Sequence, residues 1–214
     1  MWTDLLTQHR AIAIIRAPEF EVGLAMARSV AQGGLHLIEI TWDSPEAHRL
    51  IETLRAELPH CIIGTGTIVT VDQLNHAIDC GAQFAFSPHC NLAIIKAANL
   101  AKLPIVPGAL TPTEILTAWN AGADSVKVFP VSALGNASYI QSLREPLKGI
   151  PLIPTGGITL ENASDFLAAG AIAVGLSTSL FPAKWVRDGS WTQVRDRSRQ
   201  LCDRLNQGSA ESGI

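Results

Sequence analysis

The sequence predicts an α/β protein closed into a (β/α)8 barrel, the TIM barrel. Three observations carry this: eight short apolar runs at near-regular spacing, longer mixed segments between them, and a glycine punctuation that recurs just ahead of the runs. The runs fall at 11–16, 35–41, 62–67, 84–88, 104–108, 125–130, 151–157 and 171–177, with starts 20 to 27 residues apart. A short strand, a helix of roughly 10 to 14 residues and two tight loops fill such an interval. Apolar strands alternating with helices indicate a parallel sheet covered on its outer face. Eight strands close into a barrel, and a doubly wound open sheet is the alternative.

The segments between the runs read as helices. Residues 21–32 put Val22, Leu24, Ala25 and Val30 near one face. Residues 71–79 and 112–120 follow Thr70 and Thr111, which suit the N-cap. Pro112 then occupies a first helical position, where its missing N–H costs nothing. Gly33-Gly34, Gly81, Gly122 and Gly170 each end such a segment, as the left-handed position after a helix demands.

The length of 214 residues is short for a barrel but sufficient for one domain, expected over 1–214 with a frayed tail at 206–214. Apolar residues at 47% against 16% charged supply a large core, and a net charge of -3 argues against nucleic acid as a partner. Arg195, Arg197, Arg199 and Arg204 read as a solvated helical face. Cys61, Cys80, Cys90 and Cys202 show no CxxC spacing and read as reduced thiols. No apolar run nears the ~20 residues that span a bilayer, and residues 1–10 lack the order of a signal peptide. The expectation is a soluble cytoplasmic protein with no membrane partner.

In this architecture active sites lie at the C-terminal ends of the strands. Of five lysines, Lys127 alone sits inside an apolar strand, Ser125-Val126-Lys127-Val128-Phe129-Pro130. Alternation sets Ser125, Lys127 and Phe129 on one face and the valines on the other. The valines pack outward on helices, which turns Lys127 inward. A buried ammonium is costly unless paired, whereas a free amine there can attack a carbonyl; a strand-end lysine that snorkels or forms a structural ion pair is the alternative. Glu39 shares a face with Leu37 and Thr41 in the second run. It serves either as a structural counter-charge to Lys127 or as a general acid/base beside an amine nucleophile.

Other strand ends suggest a binding surface. Gly64-Thr65-Gly66-Thr67 closes the third run, and Thr67 offers a hydroxyl at the mouth. Pro88, Pro107 and Pro130 follow the fourth to sixth runs. Gly156-Gly157, ahead of a helix expected near Thr159, and Gly175-Leu176-Ser177 end the last two. Their backbone N–H groups suit a phosphate, and plain tight turns are the alternative. The six histidines show no HxH or HExxH spacing, so no metal or other cofactor is expected.

At these residues the chain resembles the 2-keto-3-deoxy-6-phosphogluconate (KDPG) and 4-hydroxy-2-oxoglutarate (KHG) aldolases, over about residues 8–182. The carriers are Ile38-Glu39-Ile40-Thr41, Gly64-Thr65-Gly66-Thr67, Phe86-Ser87-Pro88, Val106-Pro107-Gly108, Lys127-Val128-Phe129-Pro130 and Pro154-Thr155-Gly156-Gly157. The resemblance implies a class I aldolase, a homotrimer of barrels, cleaving KDPG to pyruvate and glyceraldehyde 3-phosphate in the Entner–Doudoroff route. It makes Lys127 the Schiff-base lysine and Glu39 the acid/base. Thr67, Pro88, Phe129 and Thr155 become substrate-pocket positions, and Gly156, Gly157 and Ser177 the phosphate loop.

Two departures bear on the substrate. Thr41-Trp42-Asp43 stands where the family carries Thr-Leu-Arg, so Arg16 becomes the candidate for the substrate carboxylate, as in galactonate-type members. His89 stands where glycine is usual. The phosphorylated gluconate form is the expected substrate because Thr155 offers a hydroxyl, with the galactonate epimer (KDPGal) or KHG as alternatives. A phosphate-binding isomerase or synthase would leave Lys127 unexplained. A non-catalytic barrel would give no pyruvate adduct.

Overall fold

The structure, a computed structural model, describes residues 1–211, with side chains described to 207. Nine parallel strands form the wall: β1 Ala11–Ile15, β2 Leu37–Thr41, β3 Ile62–Gly66, β4 Ala85–Phe86, β5 Ile105–Val106, β6 Gly108–Ala109, β7 Val126–Val128, β8 Leu152–Pro154 and β9 Val174–Leu176. They pair in the orders β5-β4-β3-β2-β1-β9 and β6-β7-β8. A bridge from Thr155 to Gly175 joins β8 to β9. The fifth expected run is present as two pieces, β5 and β6, because Pro107 between them has no N–H to give a neighbour. Counting that run once, the ring holds the eight expected staves and closes.

Strand alternation sorts the core. Ile12 and Ile14 of β1 and Leu37 of β2 belong to the inner cluster with Phe84, Phe86, Val106 and Ile153. Ala11, Ala13, Ile15, Ile38 and Ile40 belong to the outer one, packed under the helices. Glu39 and Lys127 follow the inner parity, and there they replace an apolar layer.

The helices are α1 Trp2–His9, α2 Phe20–Gln32, α3 Ala47–Glu57, α4 Val71–Asp79, α5 Leu92–Leu100, α6 Pro112–Asn120, α7 Ala137–Arg144, α8 Ala163–Ala168, α9 Ala183–Arg187 and α10 Trp191–Glu211. Thr70 and Thr111 cap α4 and α6, each through a reciprocal bond with Gln73 or Glu114. Gly34, Gly81, Gly122 and Gly170 all take positive φ at the returns into the wall.

Two features correct the sequence expectations, and two stand beside them. First, α1 closes the bottom of the barrel: Trp2 and Leu6 are buried in the inner cluster, and Trp2 Nε1 donates to Ser125 Oγ at 3.0 Å. Second, the helix expected near Thr159 begins at Ala163, because the Thr159 and Asn162 side chains build a turn from Thr159 to Asn162. Third, two arginines of the expected solvated face reach back to the barrel. Arg197 donates to the Ser179 carbonyl and stacks 4.5 Å from the Trp185 ring, and Arg204 donates to the Leu160 carbonyl. Fourth, within the expected frayed tail α10 continues to Glu211, and residues 212–214 lie outside the described ones.

Candidate active site

The C-terminal rim of the barrel encloses a cavity of about 400 Å³. Every candidate residue lines it: Lys127 and Glu39, Arg16, Thr67, Pro88, Phe129 and Thr155, and Gly156, Gly157, Gly175 and Ser177. His89 does not. Its Nδ1 lies 3.1 Å from Ser87 Oγ, within the turn after β4.

Lys127 stands mid-strand between Gly108 of β6 and Ile153 of β8. Its side chain is buried, with Nζ 4.7 Å from the Phe129 ring centroid and 5.9 Å from that of Phe86. Aromatic faces attract a cation at such distances and leave the amine in an apolar setting. Gly108 fits beneath the β4 turn because a Cβ there would strike the Pro88 carbonyl.

Glu39 is fully buried between Ile14 of β1 and Gly64 of β3. Burial, foremost, pushes its carboxyl above the ordinary 4.5; Lys127 and then Arg16 pull it down, and Asp43 adds to the rise. Among the described residues its Oε2 has no hydrogen-bond partner, and no ion pair joins it to Lys127. A buried carboxylate left unpaired is expensive, so the arrangement favours a carboxyl that carries a proton or waits for a partner in the cavity.

At the mouth, Arg16 Nε lies 3.1 Å from Asp43 Oδ2, and its Nη2 donates to Thr67 Oγ1 at 3.3 Å. Thr67 takes φ 60, a left-handed conformation unusual for a β-branched residue. That geometry holds its hydroxyl over the mouth. The opposite wall is the turn after β8, where Gly156 and Gly157 have φ 88 and 84. A Cβ on Gly157 would meet Ser132, and one on Gly175 would meet Thr155 Oγ1 at 2.6 Å. The bridge from Thr155 to Gly175 engages the backbone at Gly156. Outside the helices and strands, among the described residues, no backbone carbonyl accepts from the N–H of Gly157. With α8 starting only at Ala163, this turn, not a helix end, presents the N–H available to an anion.

Ile14, Thr41, Ile158 and Thr178 also line the cavity and were not singled out in the sequence. Ile14 and Thr41 share the inward parity of Glu39, a signal that alternation carries. Ile158 and Thr178 lie in loops with no such signal. Among the described residues, no group of three His, Cys, Asp or Glu could hold a metal ion.

The sequence model of the KDPG and KHG aldolases matches residues 3–196. The chain belongs to this aldolase family. Membership makes it a lyase. A probable 2-dehydro-3-deoxy-6-phosphogalactonate aldolase of Rhizobium meliloti is 36% identical over 172 residues, 79% of this chain and 81% of that one. The KHG/KDPG aldolase of Escherichia coli K12 is 29% identical over 200 residues, 94% of each chain. A KDPG aldolase structure from Legionella pneumophila, with pyruvate captured as a covalent carbinolamine, superposes with TM-score 0.87 at 25% identity, covering 94% of this chain and 98% of that one.

Proposed function

We propose that the chain is a class I, metal-independent aldolase that cleaves phosphorylated six-carbon 2-keto-3-deoxy acids, KDPG foremost, to pyruvate and glyceraldehyde 3-phosphate. The observation that carries this is the meeting of Lys127 and Glu39 in one cavity of an aldolase-family barrel. The free amine of Lys127 adds to C2 of the keto acid, and water leaves to give an iminium. Glu39 accepts the C4 hydroxyl proton as the C3–C4 bond breaks and its electrons flow into the iminium. The aldehyde departs and an enamine remains. Glu39 then helps return a proton to C3, and hydrolysis frees pyruvate and the amine. The iminium is the electron sink, which leaves a metal no task.

Arg16 takes the substrate carboxylate at the mouth. Gly156, Gly157, Gly175 and Ser177 take the phosphate. Thr67, Pro88, Phe129 and Thr155 shape the space between. Incubation with pyruvate and borohydride tests the reading: one reduced pyruvoyl group on the Lys127 peptide is expected, and an adduct elsewhere or none sinks it. The expected compartment is the cytoplasm and the expected assembly a trimer. Leu92, Leu116 and Leu134, 56%, 42% and 40% exposed on successive sectors, offer apolar surface for a partner copy. Light scattering checks that assembly.

A second reading, the galactonate epimer as substrate, has its own support. The Rhizobium relative at 36% identity is named for that substrate, and Arg16 replaces the family arginine at position 43. Paired kcat/KM values for the two epimers decide between them.

A further inference from the structure

A second chamber opens behind Arg16. Its volume is about 600 Å³, between the start of α2 and the turn from β9 into α9. Val22, Met26, Phe181 and Val186 form an apolar wall. Arg16 and Arg187 bring two guanidinium groups to it against the one carboxylate of Glu19, in a chain whose net charge is -3. Sites for small organic ligands share these properties: about 300–1,000 Å³, mostly apolar, with a few convergent polar groups. Arg16, Ser177 and Thr178 line this chamber and the catalytic cavity alike.

The two arginines differ in their engagement. Among the described residues no acid pairs with Arg187. Arg16 is held by Asp43, but the two side chains are 61% and 50% exposed, and an ion pair so exposed holds weakly. A carboxylate arriving from the chamber side can therefore draw Arg16 away from Asp43 and from the mouth.

We propose that this chamber is a binding site for a small monoanion with an apolar body, an aryl or branched-alkyl carboxylate. The body packs on Val22, Met26, Phe181 and Val186, and the carboxylate lies between Arg187 and Arg16. Occupancy recruits Arg16 and raises KM for 2-keto acids while kcat stays unchanged. This coupling rests on the role given to Arg16 in the proposed function, whereas the binding itself does not.

Calorimetric titration of the whole chain with phenylacetate, and with uncharged phenylacetamide as control, tests the site. Phenylacetate is expected to bind saturably at one site, about tenfold or more tighter than the amide. Arg187→Glu, which reverses a charge, and Ala183→Trp, which fills the space, should each weaken it by about as much. Lys127→Met should leave it unchanged. The site is overturned by any of four results: no saturable binding, equal affinity for the amide, indifference to both chamber variants, or loss of binding in Lys127→Met. In turnover assays phenylacetate should raise KM in the parent and not in Arg187→Glu. A KM that stays put while binding behaves as expected overturns the coupling. A chain inert toward every keto acid would fail the aldolase reading alone, since the titration needs no turnover.

Discussion

The Glu39 carboxylate lies against the Cα of Gly66, so that a Cβ on residue 66 would fall on Oε1, Cδ and Cγ of Glu39. The register brings this about: Thr41 of β2 stands beside Gly66 of β3, and Glu39, two residues earlier on the same face, leans over the gap. Gly66→Ala must therefore displace the carboxylate. The expected result is a loss of turnover of ~10²-fold or more, the scale of a lost general acid–base group, with the pyruvate adduct still formed. Parallel turnover and adduct assays check it.

Glu39→Gln should cost turnover on the same ~10²-fold scale, and it should alter stability in a pH-dependent way. The native carboxyl titrates above 4.5. Below 4.5 both native and unfolded chains hold the proton, and the contribution of Glu39 is fully present. As pH rises through 4.5 the unfolded chain releases its proton first, and native stability falls until pH passes the native value. Glutamine escapes that loss. Denaturant midpoints of the variant should thus gain on the parent from pH 4.5 upward, then level off. A difference that does not vary with pH would contradict the assignment of burial as the leading cause.

Ser177→Glu sets a carboxylate beside Gly156 and Gly157. KM for KDPG should rise, and KM for unphosphorylated 4-hydroxy-2-oxoglutarate should hold. Equal effects on both substrates would move the phosphate away from this turn.

Arg16→Ala should raise KM for every 2-keto acid by roughly tenfold or more, since a hydrogen bond to a charged group contributes ~1.5–3 kcal/mol. Asp43→Asn removes the competitor for the guanidinium and should lower the same KM. Steady-state kinetics with pyruvate-derived acids of different length separate the two effects.

Prolonged chelation followed by assay should leave activity unchanged. Activity lost to chelator and restored by zinc or magnesium would assign the chain's chemistry to another mechanism.

The parts of this site legible in the sequence are those that local rules control. Lys127 and Glu39 stood out as charges in apolar strands, and alternation alone turned both inward. The Thr70 and Thr111 caps fixed the starts of α4 and α6. Part of what escaped depends on residues far apart in the chain. The Arg16–Asp43 pair spans 27 positions, and the Trp2–Ser125 bond spans 123. The late start of α8 came from side-chain bonds within Thr159–Asn162 that imitate a helix N-terminus without forming one. The crowding of Glu39 over Gly66, where a Cβ would lie 1.7 Å from Oε1, follows from how the two neighbouring strands pair.

Ser125 and Lys127 sit two residues apart on the same inward row. The first is gripped from below by Trp2, and the second is offered to the cavity above. The lysine's height in the barrel is thereby referenced to a helix at the opposite end of the molecule. For anyone engineering this chain, α1 is a foundation, not a handle. Trimming or reworking residues 2–9 would be felt as a shift in where the amine meets its carbonyl, long before the fold is lost.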